Sequence, residues 1–179
     1  AFQQNLSRVD VAREELVGVR AQTAAQLGDL NGKVKPAMAK LGRGTATEKR
    51  AAIEAFRAAF EIDLLHTRNA CEVALPWLER SGAAAIIAIS SISGSEDYGY
   101  DSVSYGTMKA ALFFYVKSLA RHVAAKGIRA NVVAPGPFWT PLQSSGGQPQ
   151  EAVMKFGEQV PLGRPGQPVE IAPVYVLLA

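Results

Sequence analysis

The spacing of apolar residues changes character near the middle of the chain. Up to about residue 80, apolar positions recur at helical intervals. Residues 8–31 predict a helix, with Leu16, Val17, Val19, Leu27 and Leu30 among good helix formers and Asn31-Gly32 as a stop. A second helical stretch ends near Leu41, where Gly42 and Gly44 break it. Thr47-Glu48 opens a third, in which Ala51, Ile53, Phe56 and Phe60 share a face. Residues 64–79 continue as helix, with Pro76 a late interruption. Beyond Ser81-Gly82 the period is lost. Residues 83–89 form an unbroken apolar run that ends in the small polar stretch Ser90-Ser91-Ile92-Ser93-Gly94. Such a run predicts a buried parallel strand with functional groups at its carboxyl end. Residues 102–126 predict a long helix stopped by Gly127. Residues 128–134 predict a second strand, ended by Pro135-Gly136. Residues 137–150, rich in Pro, Gly and Ser, predict a loop, and 150–157 a short helix. Pro168 suits the first position of a last helix, which Pro173 disturbs.

Strand, helix, strand, loop, helix is an α/β order. The helix between the two strands is long enough for a parallel crossover. The 179 residues suffice for one domain with a core, so residues 1–179 are read as a single unit. Hydrophobic residues make up 48% and charged residues 20%, a globular balance. No apolar run approaches the roughly 20 residues that span a bilayer, so no membrane is expected. Ala1-Phe2-Gln3-Gln4-Asn5 lacks the basic-then-apolar pattern of a signal peptide. Cys71 is the single cysteine, which rules out an internal disulfide and makes a cytoplasmic compartment the simplest expectation. The net charge of +3 and the loose basic group Lys33, Lys35, Lys40, Arg43, Lys49 and Arg50 come without interleaved aromatics. They read as a solvated helical face and not as a nucleic-acid surface.

Tyr105 and Lys109 are four residues apart, which puts both side chains on one helical face. A phenol is a poor acid or base at neutral pH, and an adjacent ammonium favours the phenolate. The pair could move a proton in an alcohol/carbonyl interconversion. Taken alone, the pattern arises often by chance, and an ordinary helix with an exposed lysine is the simpler reading. Ser91, at the end of the first strand, could return to the mouth of the helix and bond a substrate oxygen, or could simply cap a turn. Gly136, at the end of the second strand, could let a flat ring approach the backbone, with Thr140 bonding a carboxamide or phosphate. The alternative is a strand exit that needs Pro and Gly for its turn. His66 and His122 lack partners at metal-ligand spacing, so no metal is expected. Cys71 reads as a small packing residue, and Trp77 and Trp139 as packing aromatics.

Three segments together resemble the short-chain dehydrogenase/reductase family. They are Ile87-Ala88-Ile89-Ser90-Ser91-Ile92-Ser93-Gly94, then Tyr105-Gly106-Thr107-Met108-Lys109-Ala110-Ala111-Leu112, then Lys126-Gly127-Ile128-Arg129-Ala130-Asn131-Val132-Val133-Ala134-Pro135-Gly136. Pro137-Phe138-Trp139-Thr140-Pro141-Leu142 and Arg164-Pro165-Gly166-Gln167-Pro168 resemble a bacterial subgroup of general oxidoreductases and stress-related aldehyde/alcohol dehydrogenases. The resemblance runs from about Phe60 to Ala179. It implies a Rossmann-like parallel sheet with flanking helices, incomplete here, behind a helix-rich N-terminal third. Residues 1–60 would be a helical segment of extra length, and 61–179 the catalytic half. Tyr105 would be the acid/base, Lys109 would bind the nicotinamide ribose and favour the phenolate, and Ser91 would hold the substrate oxygen. Pro135, Gly136, Phe138 and Thr140 would line the nicotinamide side of a bound NAD or NADP. Residues 141–160 would cover an alcohol, aldehyde or ketone substrate. A homo-oligomer, dimer or tetramer, is implied because the helices at 64–80 and 103–126 form subunit interfaces in the family.

Two departures from the family pattern stand out. Asp63, in Glu61-Ile62-Asp63-Leu64-Leu65, occupies a position where the family usually has asparagine, whose role is to help hold a water that links the lysine to solvent. A carboxylate there would weaken the effect of Lys109 on Tyr105, so an altered proton relay is expected. The family's first strand and its T-G-x-x-x-G-x-G turn are absent, and Gly42-Arg43-Gly44 matches that turn poorly. The chain therefore reads as the inside of a longer protein. The rival reading is a truncated, non-catalytic member that acts through helix-mediated association.

Overall fold

The computed structural model describes residues 44–96, 102–145 and 149–179. The helices expected at 8–31 and up to Leu41, and most of the basic group, lie outside the described residues. The first helix among the described residues, α1 (Ala46–Ala59), begins one residue before the expected Thr47-Glu48 start. Its N-cap is Thr45, whose side chain accepts from the Glu48 amide at 3.3 Å while the Glu48 carboxylate takes the Thr45 amide at 2.9 Å. This reciprocal cap satisfies two of the free amides at the helix start. The buried face of α1 is Ala52 and Ala55, not the expected Ala51, Ile53, Phe56 and Phe60. Ile53 and Phe60 are exposed, because the small alanines allow a closer approach than the larger side chains.

The chain stays helical beyond α1, but its period widens. Phe60–Leu65 is a π-helical turn, in which the His66 amide bonds the Glu61 carbonyl, five residues back. Helix α2 (His66–Leu78) follows and contains Pro76. Strand β1 (Ala85–Ile89) leads into a single 3₁₀ turn, Ile92–Gly94. Helix α3 (Val103–Val123) then crosses over, tightens into 3₁₀ at Ala124–Lys126, and ends at Gly127. Gly127 has φ +73°, a left-handed conformation that a side chain disfavours. Strand β2 (Arg129–Val133) pairs in parallel with β1, Ala85 opposite Arg129 through Ile89 opposite Val133.

Among the described residues the sheet has these two strands. Ile89 is accordingly 56% exposed, against the expectation of a fully buried strand. Residues 137–150 are not loop throughout, since α4 (Pro141–Ser145) forms there. Helix α5 (Gln150–Met154) is shorter than the expected 150–157. Helix α6 (Pro168–Leu178) runs through Pro173 without a break.

Helix α3 buries Ser104, Met108, Leu112, Val116, Leu119 and Val123, a stripe with steps of three and four. Leu119 and Val123 pack with Cys71, Leu75, Ala84 and Ile128. Leu112 and Val116 pack with Ala88. Thus α2 and α3 cover one face of the β1–β2 pair, and Lys126 ties their ends together through Glu79 at 2.6 Å. Near α6, Arg164 forks onto Glu170 at 2.9 Å and holds that carboxyl down at about 2.

Candidate active site at the carboxyl ends of the strands

Both strands end on the same side, as parallel strands must, and their ends are bonded together. The Ser90 amide donates to the Val133 carbonyl at 2.7 Å and the Ile92 amide to the Pro135 carbonyl at 3.1 Å. Ser91 and Pro135-Gly136 are therefore neighbours. Ser91 is extended, with φ −155° and ψ 151°, and caps the 3₁₀ turn. Its hydroxyl oxygen accepts from the Ser93 amide at 3.2 Å and its hydroxyl donates to the Ser93 hydroxyl at 3.3 Å. The turn-capping alternative is thus real, and it leaves a further lone pair of that oxygen for another donor.

The 3₁₀ turn lies against the first turns of α3 at backbone distance. A Cβ on Gly106 would sit 2.7 Å from the Ser93 carbonyl oxygen. A Cβ on Gly94 would sit 2.8 Å from the Lys109 carbonyl carbon and the Ala110 nitrogen. Both glycines permit a contact that no side chain would allow. Tyr105 and Lys109 lie in this stretch of helix. The Lys109 ammonium is 5.3 Å from the Tyr105 ring centroid. It is also 3.1 Å from the Asp63 carboxylate. The side chains of Lys109 and Asp63 are 13% and 8% exposed, so a largely shielded ammonium meets a buried carboxylate. Asp63, Tyr105 and Lys109 are thereby brought together from the π-helical turn and α3.

The space beside the Gly136 Cα is open, with no atom within 4 Å of where a Cβ would be. A flat ring could lie there. Phe138 pairs in parallel register with Gly166 and turns its ring onto that glycine. The Trp139 amide donates to the Gly166 carbonyl at 2.8 Å, and the Trp139 ring meets Phe156 at 6.3 Å, tilted by 53°. Thr140 accepts the Gln143 amide at 3.0 Å and starts α4. Among the described residues no group of three or more metal-ligating side chains occurs.

Three residues outside the site bear on the sequence expectations. Trp77 is not a packing aromatic: it is 69% exposed and carries the Arg80 guanidinium 4.4 Å over its ring. Cys71 packs in the core as expected, and burial pushes its thiol pKa up. Its neighbour Tyr115 has a buried hydroxyl without an oxygen or nitrogen partner. Burial, then the Cys71 thiol, push the Tyr115 pKa up to about 12. Sequence reasoning missed Ser90, whose hydroxyl donates to the Lys109 carbonyl at 2.8 Å. The signal was available: neighbouring residues of an extended segment point to opposite faces, so Ser90 and Ser91 could not share a role.

The family model described as enoyl-(acyl carrier protein) reductase matches residues 1–179. The chain belongs to the short-chain dehydrogenase/reductase family. An uncharacterized oxidoreductase of Escherichia coli K12, YghA, is 45% identical over 126 residues, 70% of this chain and 42% of the relative. YhxD of Bacillus subtilis, likewise an uncharacterized oxidoreductase, is 44% identical over 67% of this chain and 40% of its own length. The chain thus spans about two fifths of these relatives. Among solved structures, a short-chain dehydrogenase/reductase of Caenorhabditis elegans with cofactor has a TM-score of 0.65 at 30% identity, over 71% of this chain and 49% of that one. A 3-oxoacyl-[acyl-carrier protein] reductase of Brucella melitensis with bound NAD has a TM-score of 0.59 at 27% identity, over 71% and 45%. The Rossmann-like class expected from the sequence is the class of these structures. Among the described residues no helix is long and apolar enough to cross a membrane.

Proposed function

We propose that the chain is the catalytic half of an NAD(P)-dependent oxidoreductase that interconverts an alcohol and a carbonyl. The observation that carries this reading is the largely shielded Lys109 ammonium held between the Asp63 carboxylate and the Tyr105 ring, beside the joined strand ends. Open space at the Gly136 backbone fits a nicotinamide ring, and the ammonium fits its ribose hydroxyls. The fit covers that end of the cofactor, since a phosphate-binding glycine turn is missing from the sequence. A nicotinamide bound there would accept or supply the hydride. In oxidation Tyr105 takes the hydroxyl proton as the carbon–hydrogen pair departs, and in reduction it returns the proton to the carbonyl oxygen. Ser91 donates a hydrogen bond to that oxygen once its hydroxyl turns away from the 3.3 Å bond to Ser93. Lys109 stands beside the Tyr105 ring and is paired with Asp63. An aldehyde is a reasonable first substrate, because a relative sharing 47% identity over 43% of this chain is named an NADPH-dependent aldehyde reductase.

Titrating the chain with NADH and NADPH by fluorescence tests the reading. Saturable micromolar binding is expected, with Tyr105→Phe retaining it while losing turnover of a carbonyl substrate by ~100-fold or more. Neutralising the carboxylate in Asp63→Asn is expected to move the pH–rate profile, and an unchanged profile removes Asp63 from the relay. A total lack of nucleotide binding favours the second reading, helix-mediated association. That reading is supported by an open apolar groove of about 620 Å³ lined by Phe60, Leu64, Leu65, Phe114 and Tyr115, with Phe114 74% exposed. Analytical ultracentrifugation with Phe114→Glu tests it, with the expected result a shift to monomer. A homo-oligomer belongs to either reading, and the cytoplasm remains the compartment proposed.

A further inference from the structure

We infer that Ser90 is a positioning residue for Lys109, and that the serine pair Ser90-Ser91 divides two tasks between its members. The inference builds on Lys109 as a site residue and adds how its place is set. Ser90 is 4% exposed and lies on the face of its strand end opposite to Ser91. Its backbone is fixed first, because its amide is bonded to Val133 at 2.7 Å. Its hydroxyl then donates to the Lys109 carbonyl at 2.8 Å. The Lys109 carbonyl sits inside α3, six residues from its start, where a helix supplies its own donor four residues on. A second, side-chain donor therefore adds nothing that the helix needs. What it adds is a link from the sheet to one particular residue of the helix.

The surroundings give that link one geometry. Gly94 packs against the same Lys109 carbonyl and Ala110 amide, and Gly106 packs against Ser93, one turn earlier on the helix. The two glycines set how closely α3 approaches, and two close contacts alone still leave sliding along the helix axis open. A hydrogen bond is directional, and the Ser90 bond opposes that slide. The Lys109 side chain reaches Asp63 at 3.1 Å from this fixed carbonyl. Ser90 thus sets the lysine against its carboxylate, while Ser91 faces the reacting oxygen.

The test reads Lys109 itself and needs no cofactor. The full chain is acetylated with a small amine-reactive ester, and the rate at each lysine is followed by mass spectrometry. In Ser90→Ala the Lys109 rate is expected to rise by roughly threefold to tenfold, the range that the net worth of one hydrogen bond permits. Lys117, exposed two turns further along α3, is expected to keep its rate. A core variant at the far end of the same helix, Val123→Ala, controls for lost stability and is expected to leave Lys109 slow. Ser90→Cys keeps a weaker donor in nearly the same volume and is expected to fall between wild type and Ser90→Ala. Should Ser90→Ala fail to fold, a Lys109 rise in Ser90→Cys above the Val123→Ala control supports the inference. An unchanged Lys109 rate in the folded Ser90 variants, or an equal rise in Val123→Ala, overturns it. Failure of nucleotide binding leaves this measurement intact, so the two proposals fail separately.

Discussion

At Lys109 and Asp63 the chain holds a buried carboxylate 3.1 Å from a largely shielded ammonium. Desolvating such a pair costs several kcal/mol per ion, which their attraction offsets only when both are present. Asp63→Ala is therefore expected to lower the unfolding free energy by ~3–5 kcal/mol, read by urea denaturation. The double variant Asp63→Leu/Lys109→Met is expected to recover most of that loss, because no buried charge remains. A double variant as unstable as Asp63→Ala would contradict the account. Tyr115 offers the opposite case, a buried hydroxyl without an oxygen or nitrogen partner. Tyr115→Phe is expected to raise stability by up to ~1 kcal/mol, and a loss of that size would mean that the hydroxyl is better satisfied than its surroundings suggest. The spacing of Tyr105 and Lys109 put them on one helical face, but only Ser91 before the pair and Pro135-Gly136 after it made the pair legible as a site. Its partner Asp63 was legible by resemblance to a family position, but the direct ion pair was not, because spacing in sequence carries no distance between separate helices.

Between elements, contact is made through glycine. Gly106→Ala would place a methyl 2.7 Å from the Ser93 carbonyl oxygen, and neither backbone can yield locally. A loss of ~1–3 kcal/mol is expected in thermal unfolding, the cost of forcing extra volume into a packed contact. A loss near zero would show that α3 and the 3₁₀ turn can part without cost. The strands, the crossover helix and its Gly127 stop were readable because each has a local cause: an apolar run, a three-four stripe, a left-handed residue. The buried face of α1 was not readable. Ile53 and Phe60 are the more apolar choices, yet Ala52 and Ala55 face inward. Close approach decided between them, and hydrophobicity along a chain does not encode it. Trp77 fails for a related reason, since a large aromatic can stand outside under an arginine.

Taken as a whole, the described molecule is one face of a sheet covered by two long helices, with its site at the strand ends. Its alkaline limit is expected to be set partly by Tyr115. That group's pKa is near 10 in an unfolded chain and about 12 here, because the fold buries the neutral phenol. Between these values the unfolded chain loses a proton that the folded one keeps. The contribution is thus fully present below pH 10 and falls away as pH rises toward about 12. Urea midpoints measured across that window should decline less steeply in Tyr115→Phe, and equal slopes would assign the decline to other groups. The π-helical turn at Phe60–Leu65 governs the molecule at the same scale. Each residue in a helix turns the chain by about 100°. Deleting one residue there would restore ordinary helical bonding, but it would rotate everything before the turn against everything after it. Either Asp63 would leave Lys109 or Ala52 and Ala55 would leave their seat. The surplus residue is in effect the length adjustment that lets a helix started by Thr45 arrive at the strand ends in phase.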